Sequence, residues 1–252
     1  MKKILIVRLT ALGDIVNSSI VIQLINNKFD NIQIDWLCED INKELATSII
    51  GINRVHTISL KKLKKSRSFS ELKKTINYLK NLPKYEMVID MQGLLKSSIV
   101  SKLVSNETYG YDKNSSRESL SSLFYKYQFN KSYESNVIER NIFLTCSALK
   151  CTINSDEIVN KEPIFQVNSD FTCSAVVNEK RNIALVIGAS WESKKYPLDK
   201  FIELINSNLD YNFLVLSGNK SEYSDAKYIA SKSQSTAIEP SSIKNLISLI
   251  SK

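Results

Sequence analysis

An aspartate close to the amino terminus, Asp14, is the side chain best placed for chemistry. It follows an apolar, β-branched run at residues 4–7 and a loop that contains Gly13. In an open α/β sheet the carboxyl end of the first strand faces the ligand crevice, so a carboxylate there could take a proton from a bound hydroxyl. The same position suits an ordinary helix N-cap, and the pattern alone favours the cap by roughly two to one.

A second polar cluster follows a later strand. Asp90, Gln92 and Lys96 surround Gly93, which permits a tight turn from strand to helix. This turn would lie at the same edge of the sheet as Asp14, because the carboxyl ends of parallel strands share one edge. A ligand site and an ordinary turn with a capping aspartate fit the pattern about equally well.

Cations are concentrated in one short segment, where five of the seven positions from 61 to 67 are basic. Together with two arginines further along, they could form a floor for phosphate or carboxylate groups. A solvated loop is the commoner outcome for such a run. The cations are Lys61, Lys62, Lys64, Lys65, Arg67, Arg117 and Arg140.

A junction in the second half of the chain could hold a diphosphate. Ser190 and Lys194 lie between a buried run and Pro197. Backbone amides and a lysine at the start of a helix suit a pyrophosphate. A charged loop with proline in the first helical turn fits the same residues equally well.

The composition is that of a soluble globular protein, with 43% hydrophobic and 24% charged residues. A formal charge of +8 favours an anionic partner, or it reflects a lysine-rich, solubilised surface. No nucleic-acid motif is present, and no aromatic residues interleave the basic run, so nucleic acid is a poor candidate.

Several classes of protein are disfavoured by what the sequence lacks. The four cysteines form no CxxC pair, and His56 is the single histidine, which argues against a disulfide framework and an imidazole metal site. The first apolar run is too short for a signal peptide, and no run approaches a membrane span. We therefore expect a cytoplasmic protein with no transmembrane segment and no bound metal.

Predicted strands and helices alternate along the chain, which indicates an α/β fold whose parallel sheets carry helices on both faces. The lysine run is assigned to the loop after the third strand. The predicted strands are 4–7, 32–38, 55–60, 87–90, 182–187 and 213–216. The predicted helices are 15–28, 45–50, 69–80, 94–104, 137–149, 196–206, 222–231 and 242–252.

We predict two domains, 1–160 and 174–252, joined by a polar linker, 161–173. The second domain shows two clear strands, fewer than a nucleotide-binding half usually has. The apolar face of its last helix therefore has no predicted sheet to cover. That face is formed by Leu246, Ile247, Leu249 and Ile250.

Four segments, taken in order, resemble the lipopolysaccharide heptosyltransferases that use ADP-heptose. Residues 6–14 resemble the family's opening strand and Gly-Asp loop, and residues 88–97 resemble its V-I-D-x-Q-G-L-x-K-S block. Residues 117–125 resemble the R-E-x-L-x-S-L-F-Y segment of type I members, and Lys194 falls on the nucleotide-diphosphate lysine. The family's D-T-G-x-x-H block would follow beyond Lys252, so we expect a shortened second domain.

The resemblance implies a GT-B fold, in which two Rossmann-like domains with parallel sheets face a cleft, and it makes Asp14 the catalytic base. The donor-binding residues that it implies are Thr10, Gly13, Ser190, Lys194 and Glu222. The acceptor-binding residues are Lys61, Lys62, Lys64, Lys65, Asp90, Gln92, Lys96, Arg117 and Arg140.

The reaction implied is transfer of L-glycero-D-manno-heptose from ADP-heptose to Kdo of Kdo2-lipid A, with inversion and without a metal or other cofactor. The protein would act as a monomer at the cytoplasmic face of the inner membrane. Its lysine run would bind Kdo carboxylates and lipid A phosphates. Two alternatives stay open. One is a type II or other ADP-sugar transferase, and the other is a truncated chain that binds the acceptor without catalysis.

Overall fold

The computed structural model describes residues 2–189 and 191–252. The chain divides into two compact units, the first ending at Gln166 and the second running from Val167 to Lys252. This division falls inside the range predicted as the linker. Each unit carries its own parallel sheet.

The first unit holds six of the described strands in one parallel sheet. They are β1 (Lys2–Val7), β2 (Ile32–Glu39), β3 (Arg54–Ile58), β4 (Met87–Asp90), β5 (Thr108–Tyr111) and β6 (Tyr127–Phe129). Their order across the sheet is β3-β2-β1-β4-β5-β6, so β1 and β4 are the two middle strands.

Helices connect these strands and cover the sheet. They are α1 (Leu12–Lys28), α2 (Lys43–Thr47), α3 (Leu60–Ser66), α4 (Phe69–Lys80), α5 (Leu95–Val104), α6 (Val137–Leu149) and α7 (Ser155–Val159). Short 3₁₀ helices occupy Asp40–Asn42 and Ser119–Phe124. The predicted bounds of α4 and α6 are confirmed to the residue.

The centre of the first sheet is buried on both faces. The residues from Ile4 to Val7 are fully buried, as are Val88 and Ile89 of the neighbouring strand. Strands covered on both faces read as continuous apolar runs rather than alternating ones, which is why the sequence identifies these two so clearly. Polar side chains that follow them are thereby held at one fixed edge.

The second unit has three parallel strands among its described residues, in the order β7-β8-β9. They are β7 (Arg181–Val186), β8 (Tyr211–Leu216) and β9 (Ser235–Ile238). The helices are α8 (Leu198–Asn206), α9 (Lys220–Lys232) and α10 (Ile243–Ile250), and a 3₁₀ helix spans Glu192–Lys194.

The last helix corrects one prediction. Leu249 of α10 is buried against Leu214 and Leu216 of β8, and Leu246 packs on the same cluster. Leu246 and Leu249 therefore cover a sheet, whereas Ile250 of the same predicted face is 66% exposed. The sheet also contains β9, which was not predicted because its sequence, Ser-Thr-Ala-Ile, has too little apolar character to be read as a strand.

The lysine run forms helix α3 rather than a loop. Lysine has a high intrinsic helix propensity, and Leu60 and Leu63 lie three positions apart, on one face of the helix. The helix ends at Arg67, which adopts the left-handed conformation with φ of 48°. Ser68 then caps α4 by accepting a hydrogen bond from the Glu71 amide.

Candidate functional site

Asp14 lies in the first turn of α1 as its third residue, so it is not the N-cap residue, which is Ala11. Its Oδ2 accepts a hydrogen bond from the Ala11 amide at 3.1 Å, which stabilises the helix start. The same oxygen lies 3.1 Å from Nη2 of Arg8, and the Asp14 side chain remains 43% exposed. The residue therefore stabilises the helix start and still presents a carboxylate to solvent.

Arg8, the first residue of the β1–α1 loop, holds that carboxylate in place. Its Nη2 pairs with Asp14, and its Nη1 donates to the carbonyl of Met91 in the β4–α5 loop. The residue is 7% exposed, so its guanidinium has little freedom to move. The fork of one arginine thus connects the loops that follow the two middle strands.

A pocket of about 380 Å³ opens in front of this pair. Among the described residues that line it, three are arginines, Arg8, Arg117 and Arg140, and one is an acid, Asp14. Tyr111 also contributes to the wall. A pocket with this balance favours an anionic ligand and holds a single carboxylate that could accept a proton from it.

Arg140 reaches the pocket from α6. Its guanidinium lies between two aromatic rings, 4.4 Å from the centroid of Tyr111 and 4.7 Å from that of Tyr133, and Nη2 donates to the Ser115 carbonyl. Helix α6 is held against α1 by a hydrogen bond from Asn141 to Ser18. The rings and the bond fix where this charge points.

Three buried polar atoms in the pocket wall have no hydrogen-bond partner among the described residues: Nε of Arg8, Nε of Arg140 and the hydroxyl of Tyr111. Burial raises the pKa of the Tyr111 hydroxyl, while Arg140 and Arg8 act in the opposite direction. Buried donors without partners are costly in a folded protein. A ligand with several oxygen acceptors would satisfy them.

Gln92 fixes the two loops relative to each other. Its side-chain oxygen accepts from the Leu9 amide at 2.9 Å, and its side-chain nitrogen donates to Thr10 Oγ1 at 3.1 Å. Lys96 Nζ lies 3.4 Å from the same Thr10 hydroxyl. The structure thus brings Gln92, Lys96 and Thr10 together as predicted. Both polar atoms of the Gln92 side chain, however, form hydrogen bonds within the protein.

Asp90 requires a correction, because its side chain is fully buried and cannot contact an acceptor directly. One carboxylate oxygen accepts from the Gln92 amide at 2.8 Å and the other from the Tyr125 hydroxyl at 2.7 Å. Burial raises the pKa of Asp90, and these hydrogen bonds oppose that rise. The residue positions Gln92 and the turn at Gly93, whose φ is +65°.

Arg117 is exposed and lines the pocket from the segment that follows β5. Its neighbour Glu118 anchors that segment by accepting a hydrogen bond from the Leu95 amide at 2.7 Å, at the start of α5. The Glu118 amide in turn donates to the Gly93 carbonyl. Arg117 is therefore carried on a loop that is tied to the β4–α5 turn.

The lysine run is not part of this pocket. Its cations lie on α3, which follows the edge strand β3, and none of them is among the described residues that line the cavity. All are exposed: Lys61, Lys62, Lys64 and Lys65. Gly13 faces open space, since an added Cβ would meet nothing within 4 Å.

In the second unit, Glu222 reaches the carboxyl ends of β7 and β8. Its Oε2 accepts a hydrogen bond from the Gly218 amide at 2.7 Å. A Cβ added at Gly188 would lie 2.6 Å from the same oxygen, so any larger residue at position 188 would displace the Glu222 carboxylate. Lys194 is exposed in the 3₁₀ helix after β7. Ser190, the other residue predicted for this junction, lies outside the described residues.

Sequence reasoning missed four residues of the first-unit site: Arg8, Tyr111, Tyr133 and Glu118. Arg8 left a usable signal, because a charged residue directly after a buried middle strand must lie at the same sheet edge as Asp14. The tyrosines left none, because Tyr111 lies in β5 and Tyr133 follows β6, and the pattern reveals neither strand. Within residues 2–189 and 191–252, no three His, Cys, Asp or Glu side chains are grouped to hold a metal ion.

Known proteins share sequence with most of this chain. The family model for glycosyltransferase family 9 (heptosyltransferase) matches residues 74–252. The lipopolysaccharide heptosyltransferase 1 of Campylobacter coli is 32% identical over 236 residues, which are 90% of this chain and 68% of that protein. The chain belongs to glycosyltransferase family 9. This family-9 chain is also 25% identical over 151 residues to heptosyltransferase 1 of Escherichia coli K12, covering 58% of itself and 47% of that protein.

Solved structures share the fold of this family-9 chain. E. coli heptosyltransferase WaaC with ADP superposes with a TM-score of 0.83 at 19% identity, over 98% of this chain and 78% of that one. E. coli ADP-heptose lipopolysaccharide heptosyltransferase II superposes with a TM-score of 0.71 at 16% identity, over 99% of this chain and 76% of that one. The predicted α/β fold of the GT-B heptosyltransferases is confirmed, and the curated relatives confirm the resemblance to type I. No helix among the described residues is long and apolar enough to cross a membrane.

Proposed function

We propose that this protein transfers heptose from ADP-heptose to a Kdo sugar of Kdo2-lipid A. The observation that carries the proposal is the pocket in which Asp14 stands among Arg8, Arg117 and Arg140. Kdo is an acidic sugar, so it offers both a carboxylate for guanidinium groups and a hydroxyl for a base. The curated relatives, all lipopolysaccharide heptosyltransferase 1, support the same reaction.

The acceptor would bind with its carboxylate on the arginines. Arg140 is held rigidly between two rings, and its Nε has no partner among the described residues, so it is suited to fix the position of the sugar. Arg117 is exposed and can approach a ligand with little cost. Lys96 is exposed beside Thr10, where its Nζ lies 3.4 Å from the Thr10 hydroxyl, and it is available to sugar hydroxyls.

Asp14 would act as the general base. Both contacts of its carboxylate use Oδ2, so Oδ1 is the oxygen left to take a proton. As the acceptor hydroxyl loses its proton to Asp14, its oxygen forms a bond to the anomeric carbon of the heptose. The bond from that carbon to ADP breaks on the opposite side, ADP leaves with the electron pair, and the configuration inverts.

We propose that residues of the second unit bind the donor. A solved relative is described as WaaC with ADP-2-deoxy-2-fluoro heptose, which supports an ADP-sugar as the ligand class. We assign Lys194 to the diphosphate, where its charge would offset the negative charge on departing ADP. Glu222 and Ser190 would lie beside the nucleotide, and we expect the reaction to need no metal ion.

The test is an acceptor comparison by mass spectrometry. The protein is incubated with ADP-heptose and either Kdo2-lipid A or the same acceptor already carrying one heptose. We expect one heptose to be added to Kdo2-lipid A and none to the heptosylated acceptor. Addition to the heptosylated acceptor alone would indicate a type II enzyme, and acceptor binding without any ADP release would indicate a non-catalytic binding protein.

A further inference from the structure

The surface around Phe69 has a composition that neither the fold nor the pocket explains. Phe69, the first residue of α4, is 88% exposed, and Leu72, one turn later, is 45% exposed. Together with Leu63 of α3 they surround a shallow groove of about 170 Å³. Three apolar side chains therefore form one patch outside the core, which we call the Phe69 patch.

Cations surround the Phe69 patch on both helices. Residues 60–74 carry seven cations and one acid, Glu71, a net charge of +6. Glu71 is paired with Lys74 at 3.1 Å. In the part of the chain that the structure describes, none of the others has an ion-pair partner: Lys61, Lys62, Lys64, Lys65, Arg67 and Lys73.

We propose that the Phe69 patch inserts into the interface of an anionic phospholipid bilayer while the surrounding cations contact lipid headgroups. Aromatic and aliphatic side chains with lysines around them are the composition of surfaces that lie in a membrane interface. Each lysine near an anionic membrane strengthens binding by about fivefold, since it contributes about 1 kcal/mol.

A bilayer fits this surface better than a soluble polyanion does. Nucleic acid or an acidic protein could satisfy the cations, and an aromatic ring can stack on a base. Nucleic acid would leave Leu63 and Leu72, which flank the ring, exposed to water, and an acidic protein would have to supply an apolar surface beside its carboxylates. The interface of an anionic bilayer offers both properties in one surface. The Phe69 patch lies on the same helices as the lysine run, for which a role at the membrane surface is expected. The proposal extends that role by identifying the side chains that enter the lipid.

The test is sedimentation of the protein with vesicles that contain no lipopolysaccharide and no donor, so its outcome does not depend on heptose transfer. Phosphatidylcholine vesicles with about one third phosphatidylglycerol are compared with pure phosphatidylcholine. We expect binding to the anionic vesicles that weakens with salt. We expect Phe69→Ser to weaken that binding about tenfold, from the lost burial of one aromatic side chain. Val159→Ser is the matched control, because Val159 is 73% exposed on the same unit and lies outside the cationic segment 60–74.

A second readout reports insertion directly. In Phe69→Trp, the indole emission should shift to shorter wavelength on anionic vesicles and be quenched by brominated lipid chains. Three results would overturn the proposal: no vesicle binding, equal binding by Phe69→Ser and wild type, or tighter binding to a single-stranded oligonucleotide than to vesicles. Because Phe69 is exposed, circular dichroism should show that each variant folds normally.

Discussion

Arg8 and Asp14 form an ion pair in which one partner is buried and the other is accessible. Nη2 of Arg8 lies 3.1 Å from Oδ2 of Asp14, and the two side chains are 9% and 43% exposed. A buried arginine is desolvated and cannot swing away from its partner, so it fixes the direction of the carboxylate. The remaining Nη1 is engaged by the Met91 carbonyl, which ties this orientation to the second middle strand.

Replacing Arg8 by lysine should separate the effect of its positive charge from the effect of its planar guanidinium geometry. A lysine keeps the positive charge but cannot hold Asp14 and the Met91 carbonyl with one planar fork. We expect kcat to fall roughly tenfold or more, because a small misplacement of a catalytic group is costly, while KM for ADP-heptose changes little. Steady-state kinetics measures both values. Arg54→Lys, at an exposed position of β3, should leave both unchanged, and an unaltered kcat in Arg8→Lys would show that the ion pair does not position the base.

Gly13→Ala should leave the fold intact and impair use of the donor. Gly13 lies in the first turn of α1, and an added Cβ would meet nothing within 4 Å, so alanine should stabilise the protein by about 0.5–1 kcal/mol. If the donor approaches this backbone closely, the methyl group should raise KM for ADP-heptose about tenfold. Urea unfolding and kinetics on one preparation test both statements.

Gly93→Ala provides the contrast to that substitution. Gly93 has φ of +65°, so alanine there should cost about 1 kcal/mol or more of stability through backbone strain. A stable Gly13→Ala protein with an unchanged KM would remove Gly13 from the donor site.

Much of the first unit can be predicted because its signals are local. The runs at residues 4–7 and 87–90 are continuous and apolar, and the bounds of α4 and α6 follow from helical periodicity and from N-cap residues, Ser68 and Asn136. The placement of Asp14 and Gln92 at one sheet edge follows from strand alternation alone. These features depend on a few neighbouring residues and on a general rule of parallel sheets.

The rest depends on tertiary contacts that leave no local pattern. β6 is a three-residue edge strand, and its role is defined by pairing with β5. The burial of Asp90 could not be predicted, because it depends on Tyr125, which is 35 positions away and donates its hydroxyl to the carboxylate. The same applies to the pair of rings around Arg140. Sequence therefore indicated the ends of strands, and the structure was needed to separate residues that can contact a ligand from those that support them.

Arg117→Gln should weaken acceptor binding without affecting the fold. The side chain is exposed and lines the pocket, so removing its charge should raise KM for the Kdo-containing acceptor about tenfold, the usual value of one charge-assisted contact. Lys113→Gln is the matched control, because Lys113 is exposed in the same segment and does not line the pocket. Equal KM values for the two variants would contradict a role for Arg117 in acceptor binding.

The buried carboxylate of Asp90 should make stability depend on pH. Burial raises its pKa in the folded state above the unfolded value of about 3.9, so the folded state binds more protons between the two pKa values. This residue's contribution to stability is therefore greatest below the unfolded pKa and is lost as pH rises through the interval up to the folded pKa. Unfolding by urea at a series of pH values from 4 to 7 should show this loss in wild type.

The Asp90→Asn variant tests the origin of that pH dependence. It should lack the Asp90 contribution, so its stability relative to wild type should improve as pH rises. Asp30→Asn, at an exposed site, should retain the wild-type slope. A parallel pH dependence in Asp90→Asn and wild type would mean that Asp90 titrates alike in the folded and unfolded states.

The most direct measurement is the rate of heptose transfer to Kdo2-lipid A by Asp14→Asn. Asparagine can still accept the hydrogen bond from the Ala11 amide, so α1 and the thermal midpoint should be preserved within a few degrees. Without a carboxylate to take the acceptor proton, turnover should fall by about 10²–10⁴, while acceptor binding measured by calorimetry persists. Near-normal turnover in a folded Asp14→Asn protein would show that Asp14 stabilises the helix start and is not the base.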